Sequence, residues 1–416
     1  MRKRVLLVTE GFPFGESERS FLSEESKSIA KEFDLLILAP EKRGELLYPT
    51  DGIVRIDQFH FTSFYKNRSI QAFLKVFHPD MLAEIWKIWH KKRTALSVKC
   101  IKDLMSYRFR VWQMEQKLSD IIQSERIDLV YTYWCTESAL AAVYLKKRYP
   151  TLKVVTRLHG MDLYEERAEH GWQPFRKKLS DEVDGLYFAC EYGRTYFIER
   201  WGVECTKKMG VFYLGSTDRG VIDFRKADKL RIVSCSNLIP LKRVDVIIEG
   251  LALLPGTMAV EWHHFGDGTE RVRLERLAQN RFEKHPKIQW KFHGFVTNAT
   301  LAEEYKRIAP DLFITTSSTE GGAPVSIQEA FSMGIPAVGT AVGGIPELIQ
   351  EGKTGFLLPE QVIPADVAAA IVRFADLSEK RKEEMCTAAR RRWTETFNAV
   401  NNAAQFTENL LELVSE

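Results

Sequence analysis

No stretch of the chain approaches the length of apolar residues needed to span a bilayer, so a helical membrane span is excluded. Cysteine is sparse: Cys100, Cys135, Cys190, Cys205, Cys235 and Cys386 are scattered without paired spacing. That argues against a disulfide framework or a thiolate metal cluster and leaves the thiols as core residues. An excess of one charge sign is missing too. The formal net charge is +3, too small for bulk nucleic-acid binding. There is no low-complexity run and no short repeat. No Asp-x-Asp pair follows a strand to hold a divalent ion, so metal-independent chemistry is expected. Met1-Arg2-Lys3-Arg4 runs straight into the apolar Val5-Leu6-Leu7-Val8 without a signal peptide, which points to the cytoplasm.

What is present is an ordinary globular composition, 45% hydrophobic and 28% charged, over 416 residues. That length exceeds what one core usually supports, so two domains are expected. Short apolar runs alternate with helical stretches. They are Val5–Thr9, Leu35–Ala39, Leu129–Tyr133, Val154–Leu158, Leu186–Ala189 and Val211–Leu214, then Arg231–Cys235, Ala259–Phe265, Ile288–Phe292, Leu312–Thr315, Ala337–Gly339 and Phe356–Leu358. Strands separated by helices imply the α/β class, with two Rossmann-like parallel sheets facing a cleft. The stretch from Gly215 to Asp228 lacks an apolar period and reads as the hinge. The expected domains are 1–218 and 219–392, with 393–416 a helix packed on one of them.

Between Phe64 and Arg110, within an insertion near 60–117, eleven Lys or Arg face three acids. Phe64, Tyr65, Phe73, Phe77, Trp86, Trp89 and Tyr107 are interleaved with them. Two readings are open: a solvated face with a buried aromatic stripe, or a peripheral surface resting on anionic lipid headgroups.

The densest chemistry lies in Ser318-Thr319-Glu320-Gly321-Gly322-Ala323-Pro324-Val325-Ser326-Ile327-Gln328-Glu329-Ala330, followed by Gly343-Gly344-Ile345-Pro346-Glu347. Glycines let the backbone approach a ligand, a prolyl helix start offers N–H groups to anionic oxygens, and carboxylates accept sugar hydroxyls. Together they read as a nucleotide-sugar diphosphate site. Ser236-Asn237-Leu238-Ile239-Pro240-Leu241-Lys242-Arg243-Val244-Asp245 follows a strand and precedes a helix, where a crevice opens in doubly wound sheets.

With these motifs the chain resembles a bacterial family 4 glycosyltransferase of GT-B architecture, retaining and metal-independent. The resemblance runs from Thr9 to about Leu358 and implies specific roles. Lys242 matches the diphosphate lysine, while Asn237 stands where the family usually has Arg, so Arg243, Arg231 or an N-terminal-domain residue is expected to replace it. Glu329 aligns with the ribose-binding glutamate. Glu320 resembles the donor-sugar glutamate, although eight residues separate the two here where the family has seven. Gly321, Gly322, Ala323, Pro324 and Val325 are expected to line the donor, with Pro324 in the first turn of a helix. His293-Gly294-Phe295-Val296 resembles the segment reading the nucleobase, and Gly266-Asp267-Gly268 a post-strand turn. In the first half, His159-Gly160-Met161-Asp162 resembles an element beside the donor sugar, His159 donating to it and Asp162 orienting neighbours. In the first loop, Gly15, Glu16 and Glu18 are expected on the acceptor side.

The resemblance therefore implies transfer from a nucleoside diphosphate sugar, a uridine one being expected, to a glycan or lipid-linked glycan. No organic cofactor is implied. A sugar-nucleotide epimerase and a degenerate binding scaffold are the alternatives.

Overall fold

The computed structural model describes residues 2–14, 18–39, 46, 52–63, 78–92, 97–224 and 228–415. Gly15 and Glu16, and residues 64–77 and 93–96 of the basic aromatic region, lie outside them. The chain divides into two compact units, Met1–Leu214 with Ala399–Glu416, and Gly215–Asn398.

The first unit is built on seven parallel strands: β1 (Arg4–Val8), β2 (Asp34–Ala39), β3 (Ile53–Gln58), β4 (Leu129–Thr132), β5 (Lys153–Leu158), β6 (Gly185–Phe188) and β7 (Met209–Val211). Their order is β3-β2-β1-β4-β5-β6-β7. In β1, Leu6 and Val8 enter one apolar cluster and Val5 and Leu7 enter another, as the alternation of a strand covered on both faces requires. The expected strands recur with two differences. β3, reading IVRIDQ, was not foreseen because it is a partly exposed edge strand with polar residues interspersed. β7 ends at Val211, where the apolar run was read as beginning.

The second unit has six parallel strands: β8 (Leu230–Cys235), β9 (Val260–Phe265), β10 (Ile288–Phe292), β11 (Leu312–Thr315), β12 (Ala337–Thr340) and β13 (Gly355–Leu358). Their order is β10-β9-β8-β11-β12-β13, so chain direction across the sheet reverses between β8 and β11. In the first unit the same reversal falls between β1 and β4. Ligand crevices open at the carboxyl ends of strands at such switch points.

Two boundaries move from the expected positions. The segment read as a hinge is fastened into the second unit. Asp218 accepts two hydrogen bonds from Arg390 (2.8 and 2.7 Å), and Ile222 N donates to Met333 O (2.9 Å). The terminal helix is also not continuous. A π-turn spans Trp393–Phe397, and the helix proper is Ala399–Ser415. Ser216 enforces the break by donating its N–H to Phe397 O (2.9 Å) and accepting Trp393 Nε1 on its hydroxyl (2.8 Å).

The helix Ala399–Ser415 closes the β1–β4 side of the first unit with Phe406 and Leu410. Beneath it lies a buried ion pair, in which Arg157 Nη1 donates to Glu25 Oε2 (2.6 Å) and the guanidinium lies 4.2 Å from the Phe406 ring centre. Tyr131 donates to the other Glu25 oxygen (2.9 Å). Removing one partner strands the other charge in apolar surroundings, which typically costs about 3–5 kcal/mol. Arg157→Ala is expected to lower stability by about that amount in denaturant titration, whereas a loss below about 1 kcal/mol would contradict this role.

Candidate active site

In the second unit the loops leaving β8 and β11 are sewn together. Leu241 O accepts both the Ser318 N–H (2.9 Å) and the Ser318 hydroxyl (3.1 Å). Thr316 Oγ1 donates to Arg243 O (2.8 Å), and Thr340 Oγ1 donates to Ser317 O (2.6 Å). The stitching places Lys242, in the 3₁₀ turn Pro240–Lys242, against Glu320, with Nζ to Oε1 2.5 Å and both side chains partly exposed. Arg243 follows in a left-handed conformation (φ 47°). Its guanidinium makes no hydrogen bond or ion pair among the described residues, unlike that of Arg231.

Arg231 is excluded as a replacement cation. Sitting near the start of β8, it pairs with Asp311 through Nε (3.1 Å) and Nη2 (2.8 Å), at the edge of the sheet opposite the crevice. Asn237 is exposed in the loop after β8.

The Glu320–Ala323 loop is braced from behind. A Cβ on Gly343 (φ 55°) would fall 2.2 Å from Glu320 O, and one on Gly344 would fall 2.5 Å from the Gly322 carbonyl carbon. Gln328 Nε2 donates to Ala323 O (2.9 Å) from the following helix, Val325–Ser332. Pro324 is the N-cap of that helix rather than part of its first turn. The helix therefore starts at Val325, and its first amides lack intrahelical acceptors and carry the positive end of the dipole. Within this loop Gly322 has open space beside it.

Glu329 lies on the same helix, 8% exposed, and accepts a hydrogen bond from Arg219 Nη2 (3.2 Å). Burial raises its pKa, and Arg219 partly offsets that effect. Arg219 was not foreseen, because nothing in its spacing separates it from the segment read as a hinge.

The loops after β9 and β10 join the same end of the sheet. Leu238 N donates to Asp267 O (2.9 Å) and Gly266 N to Gly294 O (2.9 Å). Gly266 takes φ 133°, and a Cβ there would lie 1.9 Å from Ser236 O, which leaves room only for glycine. Phe295 is 80% exposed beside them, with Val296 partly buried.

In the first unit, His159 and Asp162 lie at the end of β5. Asp162 accepts His159 N (2.6 Å) on one oxygen and Cys135 N (2.8 Å) on the other, tying the loop after β5 to the loop after β4. The carboxylate thus orients its neighbours, as the resemblance implied for Asp162. The His159 ring lies 4.5 Å, centre to centre, from both Tyr133 and Trp134. Both of its nitrogens are buried without a hydrogen-bond partner among the described residues, Nδ1 lying 4.0 Å from Asp162 Oδ2. Burial, reinforced by Arg157, pushes its pKa well below the usual imidazole range, so the ring is neutral at pH 7 with one donor and one acceptor unused.

Glu18 departs from expectation. It is 2% exposed and accepts Glu10 N (3.0 Å) and Trp134 Nε1 (2.7 Å) on one oxygen, and Gly11 N and Phe12 N (2.7 Å each) on the other. A carboxylate holding four donors is a brace for the loop after β1 and does not face acceptor hydroxyls.

Among known proteins, residues 221–392 match the family model described as glycosyl transferases group 1. WcaL of Salmonella typhimurium, a glycosyltransferase assigned to colanic acid biosynthesis, is 30% identical over 262 residues, 59% of this chain and 61% of that protein. The N-acetyl-alpha-D-glucosaminyl L-malate synthase of Bacillus anthracis is 26% identical over 260 residues, 59% of this chain and 64% of that protein. The chain thus spans about three fifths of these relatives. The lipopolysaccharide outer core galactosyltransferase WaaB in its apo form shares the fold at a TM-score of 0.70 with 14% identity, covering 98% of this chain and 99% of WaaB. The family match thus covers residues 221–392, and the chain as a whole shares the GT-B fold of two parallel-sheet Rossmann-like domains.

The brace behind the site makes a direct prediction. Gly343→Ala must adopt a left-handed backbone, costing about 1–2 kcal/mol, and must displace the Glu320 carbonyl as well. Its melting temperature is expected to fall by several degrees, whereas Gly322→Ala, with nothing near its Cβ, is expected to melt like the parent. Equal melting of all three proteins would show that the loop is not held this way.

Proposed function

We propose that the protein transfers a glycosyl unit from a nucleoside diphosphate sugar, uridine-linked, to a sugar hydroxyl of a growing glycan, with retention at the anomeric carbon. The observation that carries this is the gathering of Lys242, Glu320, Arg243 and the amides of the Val325 helix end at the carboxyl ends of β8 and β11. A solved structure of the same fold, Anabaena HepE, holds UDP and glucose, at 16% identity and a TM-score of 0.66 over 99% of this chain and all of that one. That likeness supports a nucleotide sugar here.

In this reading the diphosphate sits over the helix amides, Glu329 accepts the ribose hydroxyls, and the loops carrying Gly294, Phe295 and Val296 border the base. Lys242, held by Glu320 beforehand, turns to the β-phosphate. The C1–O bond to the diphosphate breaks as the acceptor oxygen attacks the same face, and the departing phosphate oxygen takes the acceptor's proton. Lys242 and the amides stabilise the charge that develops on the leaving group, so they lower the barrier rather than merely tighten binding.

Lys242→Ala is therefore expected to lower kcat by about a hundredfold or more, with activity of the parent persisting in excess chelator. Unchanged turnover in the variant, or activity that is lost in chelator and restored by magnesium, would sink this assignment. An epimerase would interconvert the nucleotide sugar without acceptor, which product analysis with donor alone reveals.

The basic aromatic region divides in the structure. The helix Pro79–Lys92 turns Met81, Glu84 and Ile88 inward, while Leu82, Trp86 and Trp89, at i, i+4 and i+7, are 62%, 59% and 56% exposed. Tyr107 is buried. A second apolar stripe with interfacial tryptophans, in a region of eleven cations and three acids, suits the surface of an anionic bilayer. Among the described residues no helix is long and apolar enough to cross a membrane. Replacing both Trp86 and Trp89 by Asp is expected to abolish sedimentation with anionic vesicles at low salt. Sedimentation equal to the parent's would leave the stripe as a solvated face.

A further inference from the structure

Glu329 is a carboxylate that the fold has taken out of water, so what it faces decides its charge. Three titratable groups stand near it: the Cys235 thiol from the end of β8, the Tyr305 hydroxyl from the helix Asn298–Ile308, and the Arg219 guanidinium from the segment before β8. Burial, with the Glu329 charge adding to it, pushes the Cys235 thiol up to about 12. Burial also holds the Tyr305 phenol well above its ordinary range. Both groups are therefore neutral near pH 7. Lys242, the other cation near Cys235, is committed to Glu320 (2.5 Å). That leaves Arg219 as the balancing charge for Glu329 among the described residues.

The guanidinium is well placed for this. Its Nη2 donates to Glu329 Oε1 (3.2 Å), while Oε2 makes no hydrogen bond among the described residues. The backbone on both sides of Arg219 is clamped without help from that bond. Asp218 is held by Arg390, which also donates to Ser332 O, and Ile222 N donates to Met333 O (2.9 Å). Ser332 and Met333 end the helix that carries Glu329, so cation and carboxylate are fixed to one helix. A carboxylate holds a hydroxyl more strongly than a neutral acid does, and a buried one keeps its charge best beside a cation.

We propose that Arg219 is a positioning residue for the ribose of the nucleotide: by taking Oε1 it balances and orients the Glu329 carboxylate and leaves Oε2 to accept a ribose hydroxyl. The proposal rests on the glycosyltransferase reading, in which Glu329 meets the ribose, and adds to it a residue from outside the motif block.

The sign of the pH dependence follows. Burial raises the Glu329 pKa and Arg219 lowers it, so without the cation the proton is held to higher pH. Preference for ribose belongs to the ionised carboxylate. It is present above the carboxyl's pKa in the folded protein and lost as pH falls through it, and the loss begins at higher pH in a variant lacking the charge.

The test is the ratio of the Kd of deoxy-UDP to that of UDP, measured by calorimetry from about pH 5.5 to about pH 8.5, a comparison in which the shared diphosphate cancels. The 2′-deoxy and 3′-deoxy forms are both run, and the larger ratio identifies the hydroxyl that is bound. The parent is expected to prefer UDP by about tenfold or more, as one hydrogen bond to a charged group provides. Arg219→Gln, which keeps a donor without the charge, is expected to lose most of that preference in the lower half of the range and regain it in the upper half. Arg219→Lys is expected to follow the parent, and Glu329→Gln to lack the preference throughout. A merely structural Arg219 would weaken UDP and its deoxy forms equally, leaving the ratio at the parent's value at every pH; that result overturns the proposal. A parent that binds UDP without preferring ribose also defeats this inference, while leaving nucleotide binding in place. Failure of the parent to bind UDP defeats the underlying reading and this inference with it.

Discussion

One carbonyl, Leu241 O, receives two hydrogen bonds from Ser318, and much of the second unit's chemistry hangs on that junction. It joins the connection leaving β8 to the one leaving β11, which depart from the sheet where chain direction reverses and would otherwise diverge. Lys242 is the next residue along one loop and Glu320 lies two residues along the other, so fixing Leu241 to Ser318 fixes the ion pair. Thr316 and Thr340 add bonds on either side, and Gly343 and Gly344 press on the loop from behind. The cation is thus positioned by backbone carbonyls and close packing, which supports preorganised stabilisation of a leaving group.

The first unit uses buried carboxylates for the same end. Glu18, Glu84 and Asp162 each accept backbone N–H groups from loops at the carboxyl side of the sheet or beside it. Each of these acids spends its charge on architecture. The result is a neutral His159, packed between Tyr133 and Trp134, whose ring nitrogens make no hydrogen bond among the described residues.

How much of this could be read in the chain depended on whether its cause was local. The strands of both sheets, the loop carrying Lys242 and the block from Glu320 to Glu329 are local patterns: an apolar run, or chemistry-bearing residues at fixed spacing. β3 escaped because an edge strand need not be apolar on both faces. Glu18 was misread because its side chain turns back on the amides of its own loop and is joined there by Trp134, 116 residues away. Arg219 was missed because its partner Glu329 lies 110 residues downstream. The break at Asn398 depends on Ser216, on the far side of the second unit's sequence.

The central claim is that the carboxyl end of the second sheet holds a nucleoside diphosphate. Hydrogen–deuterium exchange with and without UDP addresses it directly, since it locates the ligand without requiring turnover. The account predicts slowed exchange concentrated in peptides spanning 237–243 and 320–329. Binding that leaves those peptides unchanged, with protection elsewhere, would contradict it.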